Sequence, residues 1–178
     1  MKNFNILEKK LKIKFKNRSL LIESMTHKSL DQKINNEKLE FLGDRVIGLV
    51  LAKELYKLYP NETEGVLDKR FARLVNKKTC CEVAWTNGIQ NYILYSNLKK
   101  KITIKDEKIL SDSCEAIIGA IYIDQGFSIT EKFILRNWES FIKDSKITRI
   151  DPKTKLQEHS LKKFKKLPIY KIFKKTGP

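Results

Sequence analysis

The nonapeptide Asn36-Glu37-Lys38-Leu39-Glu40-Phe41-Leu42-Gly43-Asp44 places acids at i, i+3 and i+7. At roughly 100° per residue, Glu37, Glu40 and Asp44 share one face of a helix. Leu39, Leu42, Val46 and Leu49 are expected on the opposite side. Like charges one helical turn apart repel by about 0.2–0.5 kcal/mol per pair. No Lys stands four residues on among these three acids to relieve that repulsion, so a bound cation is the expected remedy.

A second acidic pair lies in Leu110-Ser111-Asp112-Ser113-Cys114-Glu115-Ala116-Ile117-Ile118-Gly119-Ala120, where Asp112 and Glu115 are separated by one turn of an otherwise apolar helix. A carboxylate surrounded by Ile117, Ile118 and Ile121 must neutralise, pair or bind metal, because an unpaired buried charge is costly. Taken singly, each acid is more simply read as solvated or paired with one of the 37 Lys and Arg residues. Taken together, acids concentrated on the two most apolar helices favour a shared cation. Oxygen-only ligation suits a hard ion, Mg²⁺ or Mn²⁺, held by a few carboxylates. A di-iron site of the ferritin kind needs Glu-x-x-His pairs, and the two histidines, His27 and His159, are not placed for it.

Outward from these motifs, apolar spacing is helical nearly throughout and strand-like alternation is scarce. Helices are expected near residues 5–12, 18–30, 36–58, 64–87, 88–95, 107–125 and 128–143, in an all-α fold. Pro60-Asn61 breaks the chain after the third, and Lys99 to Lys108 reads as an exposed loop. Trp85 and Trp138 are expected in the core. Cys80, Cys81 and Cys114 lack the spacing of a zinc or redox motif, and Cys114 is read as a small hydrophobe without chemistry. His27 is read as structural rather than as a general base. No stretch is apolar enough for a signal peptide or membrane span, which makes the cytoplasm the expected address and leaves the membrane out as a partner.

Residues 144–152 lack helical periodicity and run into Pro152, so a linker is expected there, between a domain at 1–143 and a second module at 153–178. The net charge is +16, with a pI near 9.7. Such a balance suits a polyanion such as nucleic acid, although a lysine-rich coding bias produces the same total. The distribution is more telling. From Asp151 to Pro178, nine Lys face only Asp151 and Glu158.

With these residues in place, the chain resembles the bacterial ribonuclease III family. Asn36 to Asp44 is similar to that family's signature nonapeptide, with Lys38 where Arg is usual. Thr26-His27-Lys28-Ser29, Glu64-Gly65 and Asp112 to Asp124 resemble its further motifs, in the same order, over residues 5–143. The resemblance implies metal ligands at Glu40, Asp112 and Glu115, a catalytic pair at Asp44 and Glu115, and supporting acids at Glu37 and Glu64. Phe41 is then a dimer contact; from the sequence alone a core Phe is an equal alternative. Asp151-Pro-Lys-Thr-Lys-Leu-Gln-Glu158 resembles the opening of a double-stranded-RNA-binding domain, its first helix and strand, beyond which the sequence stops. That incomplete piece is expected to be poorly ordered. Gln157 is the RNA-binding residue retained, whereas Leu161 stands where the family usually offers a Gln.

The implied protein is a homodimeric endoribonuclease that cuts double-stranded RNA with Mg²⁺, for which Mn²⁺ can substitute. Its expected products are 5′-phosphate and 3′-hydroxyl ends with a short 3′ overhang, in rRNA and mRNA processing. Two rivals are a non-catalytic relative that binds RNA or the ribosome, and an unrelated basic helical RNA-binding protein. The intact acids at Glu40, Asp44, Asp112 and Glu115 argue against the first, and their place on apolar helices against the second.

Overall fold

The computed structural model describes residues 2–96, 101–145 and 152–170. Its helices are α1 (Phe4–Leu11), α2 (Arg18–Ser24), α3 (Glu37–Leu58), α4 (Glu64–Leu74), α5 (Lys77–Thr86), α6 (Glu107–Gln125), α7 (Phe127–Asp144) and α8 (Pro152–Phe164), with a 3₁₀ turn at Ile89–Asn91. The described residues form no strand beyond an isolated parallel bridge between Thr26 and Leu94. The chain divides into two compact units, Met1–Ser145 and Lys146–Pro178.

Helix starts follow capping chemistry. Asn3, Asn17 and Asn76 each accept a hydrogen bond from a backbone N–H in the first turn, satisfying donors that have no partner inside the helix. Asn76 also corrects the expected single helix over 64–87. Its side chain accepts from the Thr79 N–H at 2.9 Å and donates to the Arg73 carbonyl at 2.7 Å. It thereby ends α4 and starts α5, because an Asn that satisfies both helix ends outweighs continuous periodicity. The expected helix 18–30 stops at Ser24, where the chain turns toward the Thr26–Leu94 bridge, and the expected helix 88–95 is reduced to the 3₁₀ turn for the same reason.

The core of the larger unit is built around α6. Leu110, Cys114, Ala116, Ile117, Ile118, Ala120 and Ile121 of this helix are all buried. It packs most extensively on α3, then on α5, with α7 and α2 closing the remaining sides. Trp138 is fully buried and its indole N–H donates to the Leu74 carbonyl at 2.9 Å. Trp85, expected beside it in the core, is 39% exposed, and Leu49, expected on the buried side of α3, is 59% exposed. Neighbouring elements among the described residues cover both side chains only in part.

The crossing of α3 and α6 depends on two glycines. A Cβ on Gly43 would overlap the Glu115 carbonyl, and one on Gly119 would overlap the Leu39 carbonyl. Any side chain at either position forces the helices apart, since both obstacles are backbone.

In the smaller unit, α8 occupies the expected first helix of the second module. Asp144, expected in the linker, is instead the last residue of α7. Of the expected strand, residues 167–170 adopt no regular structure and 171–178 lie outside the described residues, as does most of the linker.

Candidate active site

Because Gly43 and Gly119 let the two helices touch through their backbones, the acids flanking the crossing converge. Glu37, Glu40 and Asp44 from α3 and Asp112 and Glu115 from α6 line one cleft of about 240 Å³. This is the juxtaposition expected of the two motifs.

Each acid is held differently. Lys28 Nζ lies 2.8 Å from Glu37, Arg45 2.8 Å from Asp44, and Lys108 Nζ 2.8 Å from Asp112. The Ser111 hydroxyl donates to Glu115 Oε1 at 3.0 Å. Among the described residues Glu40 has neither a cation nor a hydrogen-bond donor as partner. In this arrangement no three Asp, Glu, His or Cys residues among those described close into a metal-holding group. The three salt bridges each draw an acid toward its own cation.

The electrostatics follow from burial and crowding. Burial pushes the Glu115 carboxyl up to about 7; the Ser111 hydrogen bond opposes the rise, and the charges of Asp44, Glu40 and Asp112 add to it. Glu40 is raised by burial and then by Asp112. Exposed Glu37 is lowered by its hydrogen bond to Lys28. Thus the two acids without a cation of their own are those whose protonated form is favoured, first because they are buried and then because other carboxylates stand near them.

Sequence reasoning missed the cations. Lys108 stands four residues before Asp112, a spacing that predicts contact on a helix. Lys28 belongs to the loop before α3, and its pairing with Glu37 had no local signal. The roles of Gly43 and Gly119 were legible only as interior glycines in apolar helices, which commonly mark close packing.

The remaining expected site residues lie apart or at the rim. Phe41 is 64% exposed, with the Arg45 guanidinium 4.1 Å from its ring centroid, so it is not a core residue. Glu64 is exposed at the start of α4 and does not line the cleft. Gln157 is half-buried on α8, in the other unit. His27, read from sequence as structural, lines the cleft. Cys80, Cys81 and Cys114 are free and buried, with their thiols pushed up by burial. No described helix is long and apolar enough to cross a membrane.

The chain is similar to known proteins over most of its length. A family model described as Ribonuclease-III-like matches residues 17–140. The Ribonuclease 3 of Pelagibacter ubique strain HTCC1062 is 60% identical over 173 residues, covering 97% of this chain and 78% of that protein. The Ribonuclease 3 of Campylobacter jejuni strain ATCC 700819 is 40% identical over 181 residues, covering 100% of this chain and 81% of that protein. A solved structure of the ribonuclease III nuclease domain from Campylobacter jejuni, which shows flexibility in a region involved in its dimer formation, superposes with a TM-score of 0.74 at 39% identity. It covers 79% of this chain and 99% of that one. The family match over residues 17–140, the 60% identity over nearly the whole chain and the shared helical fold of the nuclease domain place the chain in the ribonuclease III family of endoribonucleases.

Proposed function

We propose that the chain is a Mg²⁺-dependent endonuclease of double-stranded RNA, that Mn²⁺ can replace Mg²⁺, and that it acts as a homodimer in the cytoplasm on rRNA and mRNA precursors. The products are 5′-phosphate and 3′-hydroxyl ends with a short 3′ overhang. One observation carries this reading: five carboxylates meet in one cleft at a crossing that two glycines fix.

The donor set fits the ion. It is all oxygen, and Glu40 and Glu115, whose carboxyls are raised first by burial and further by neighbouring carboxylates, are groups whose charged form a hard dication stabilises. Glu40, Asp112 and Glu115 are the residues to hold it. When bound, Mg²⁺ polarises the phosphoryl group and makes water more acidic. The chain's own groups do the rest. Asp44, half-exposed at the cleft edge, orients the attacking water beside Glu115. Lys28 and Lys108 at the mouth offset the charge of an entering phosphodiester, and Glu37 holds Lys28 in place. Glu64, outside the cleft, supports RNA that extends along the surface.

Phe41, Leu49 and Tyr56 form an exposed apolar stripe on α3, and Leu49 and Tyr56 border a groove shared with Leu67 and Phe71 of α4. Exposed aromatic and aliphatic groups of this kind support a two-fold interface with Phe41 as the knob. Phe41→Asp is expected to give monomers by light scattering, since a charge in an apolar interface is desolvated and unpaired; an unchanged dimer would place Phe41 elsewhere.

Residues 1–143 serve as the nuclease domain, 144–152 as linker, and 153–178 as the opening of a double-stranded-RNA-binding domain in which Gln157 touches RNA. The separation into two units near Ser145 supports that division. Recognition is of A-form shape, 2′-hydroxyls and phosphates. The deciding experiment incubates the protein with a long RNA duplex, with and without Mg²⁺, and maps the ends. Intact duplex in the presence of Mg²⁺ refutes the reading.

A further inference from the structure

The segment between α2 and α3 is tied down at several points. The His27 N–H donates to the Leu94 carbonyl at 2.8 Å, the Leu94 N–H to the Met25 carbonyl at 2.7 Å, and the Asn36 N–H to the Thr26 carbonyl at 2.9 Å. These bonds surround the isolated Thr26–Leu94 bridge. Together they hold the His27 ring in the wall of the acidic cleft.

The ring's protonation follows from its neighbours. A backbone N–H can only donate, and that of Ser29 reaches His27 Nδ1 at 3.2 Å. The Ser29 hydroxyl lies 2.9 Å from the same nitrogen and itself accepts from the Ser96 N–H at 3.3 Å, which leaves its proton for Nδ1. Nδ1 therefore presents its lone pair, and the neutral ring carries its proton on Nε2. Burial also disfavours the imidazolium; Asp112 and Glu37 pull against that, while Lys28 and Lys108 reinforce it. Such a ring cannot serve as a general base, since one nitrogen is occupied as an acceptor and the other already bears hydrogen.

Nε2–H has no partner among the described residues. The same cleft is lined by carboxylates, which repel a phosphate, and by Lys28 and Lys108, which share their charge with Glu37 and Asp112 at 2.8 Å while offsetting that of an entering phosphate. The ring is an uncommitted neutral donor in the wall of that cleft.

We propose that His27 Nε2–H donates to a non-bridging phosphate oxygen of the RNA strand in the cleft, making His27 a substrate-contacting residue. This rests on the ribonuclease reading above. With two histidines in the chain, His27 and His159, ring-¹⁵N spectra contain few signals, and His27→Gln assigns them. The full chain at neutral pH is expected to show a protonated Nε2 and a bare Nδ1 at His27. In a Glu115→Gln background, a short RNA duplex should shift the Nε2 signal. His27→Ala should lower kcat/KM by about tenfold or more, the scale of a hydrogen bond to a charged group, and His27→Gln, which keeps an N–H at similar reach, should recover part of that. A proton found on Nδ1, or an Nε2 signal unmoved by a duplex that binds, overturns the assignment. Wild-type cleavage matched by His27→Ala defeats this inference alone, whereas a wild type that leaves duplex RNA intact defeats the ribonuclease reading and the inference with it.

Discussion

Helices α6 and α8 both carry large apolar side chains, yet these end in opposite environments. Ile117, Ile118 and Ile121 of α6 have no exposed surface, whereas Leu156, Leu161 and Phe164 of α8 are 49%, 46% and 61% exposed. Helix α6 is met by α3, α5 and α7, and at Gly43 and Gly119 the approach is backbone to backbone. Helix α8 stands in a segment dense in Lys, with its apolar side largely uncovered. An apolar stripe adds stability only where a second element removes it from water. A carboxylate likewise becomes chemically unusual only where packing both buries it and crowds it with others. Glu115 meets both conditions; Glu64, exposed on α4, meets neither.

The contrast can be tested most severely at Glu115. Glu115→Gln keeps the size of the side chain and removes its charge, so cleavage is expected to fall by on the order of a thousand-fold, about 4 kcal/mol in the barrier. Duplex binding measured without turnover should stay within a few-fold. Cleavage retained within a few-fold removes Glu115 from the proposed metal site.

Next in size is the core itself. Ile118→Ala deletes a side chain with no exposed surface and should destabilise the fold by about 2–5 kcal/mol in urea unfolding. A loss under about 1 kcal/mol would mean that α6 is less tightly enclosed than the glycine crossing implies.

Salt probes the other region. Lys162 and Lys163 of α8 are exposed, and the attraction between such groups and phosphates weakens as salt is added. Wild-type duplex affinity should fall steeply between about 50 and 200 mM salt. Replacing both Lys by Ala should make the slope of log K against log salt shallower, by about 0.9 for each phosphate that is no longer neutralised. An unchanged slope assigns the grip to the cleft unit alone.

The smallest effect is expected at Leu161, where Leu161→Ala should change stability by no more than about 0.5 kcal/mol, the range of an exposed position. A cost approaching that of Ile118→Ala would show that α8 is covered in solution, and the contrast between the two helices would collapse.

Much of this was legible in the amino-acid order, because a helical pitch converts spacing into a shared face. The acids at Glu37, Glu40 and Asp44, the pair at Asp112 and Glu115, and the all-helical character of residues 5–143 follow from local periodicity. Local periodicity says nothing about which faces meet. The depth of Glu115, the exposure of Leu49 and Trp85, the pairing of Lys28 with Glu37 and the turning of His27 into the cleft depend on contacts between segments distant in sequence. The split between α4 and α5 was local, but it rested on a competition between one Asn side chain and the helix backbone that periodicity does not register. The sequence determined the chemical groups and their order along each helix; the tertiary structure decided their neighbours, their burial and so their charge, because desolvation and Coulomb interaction depend on distance in space.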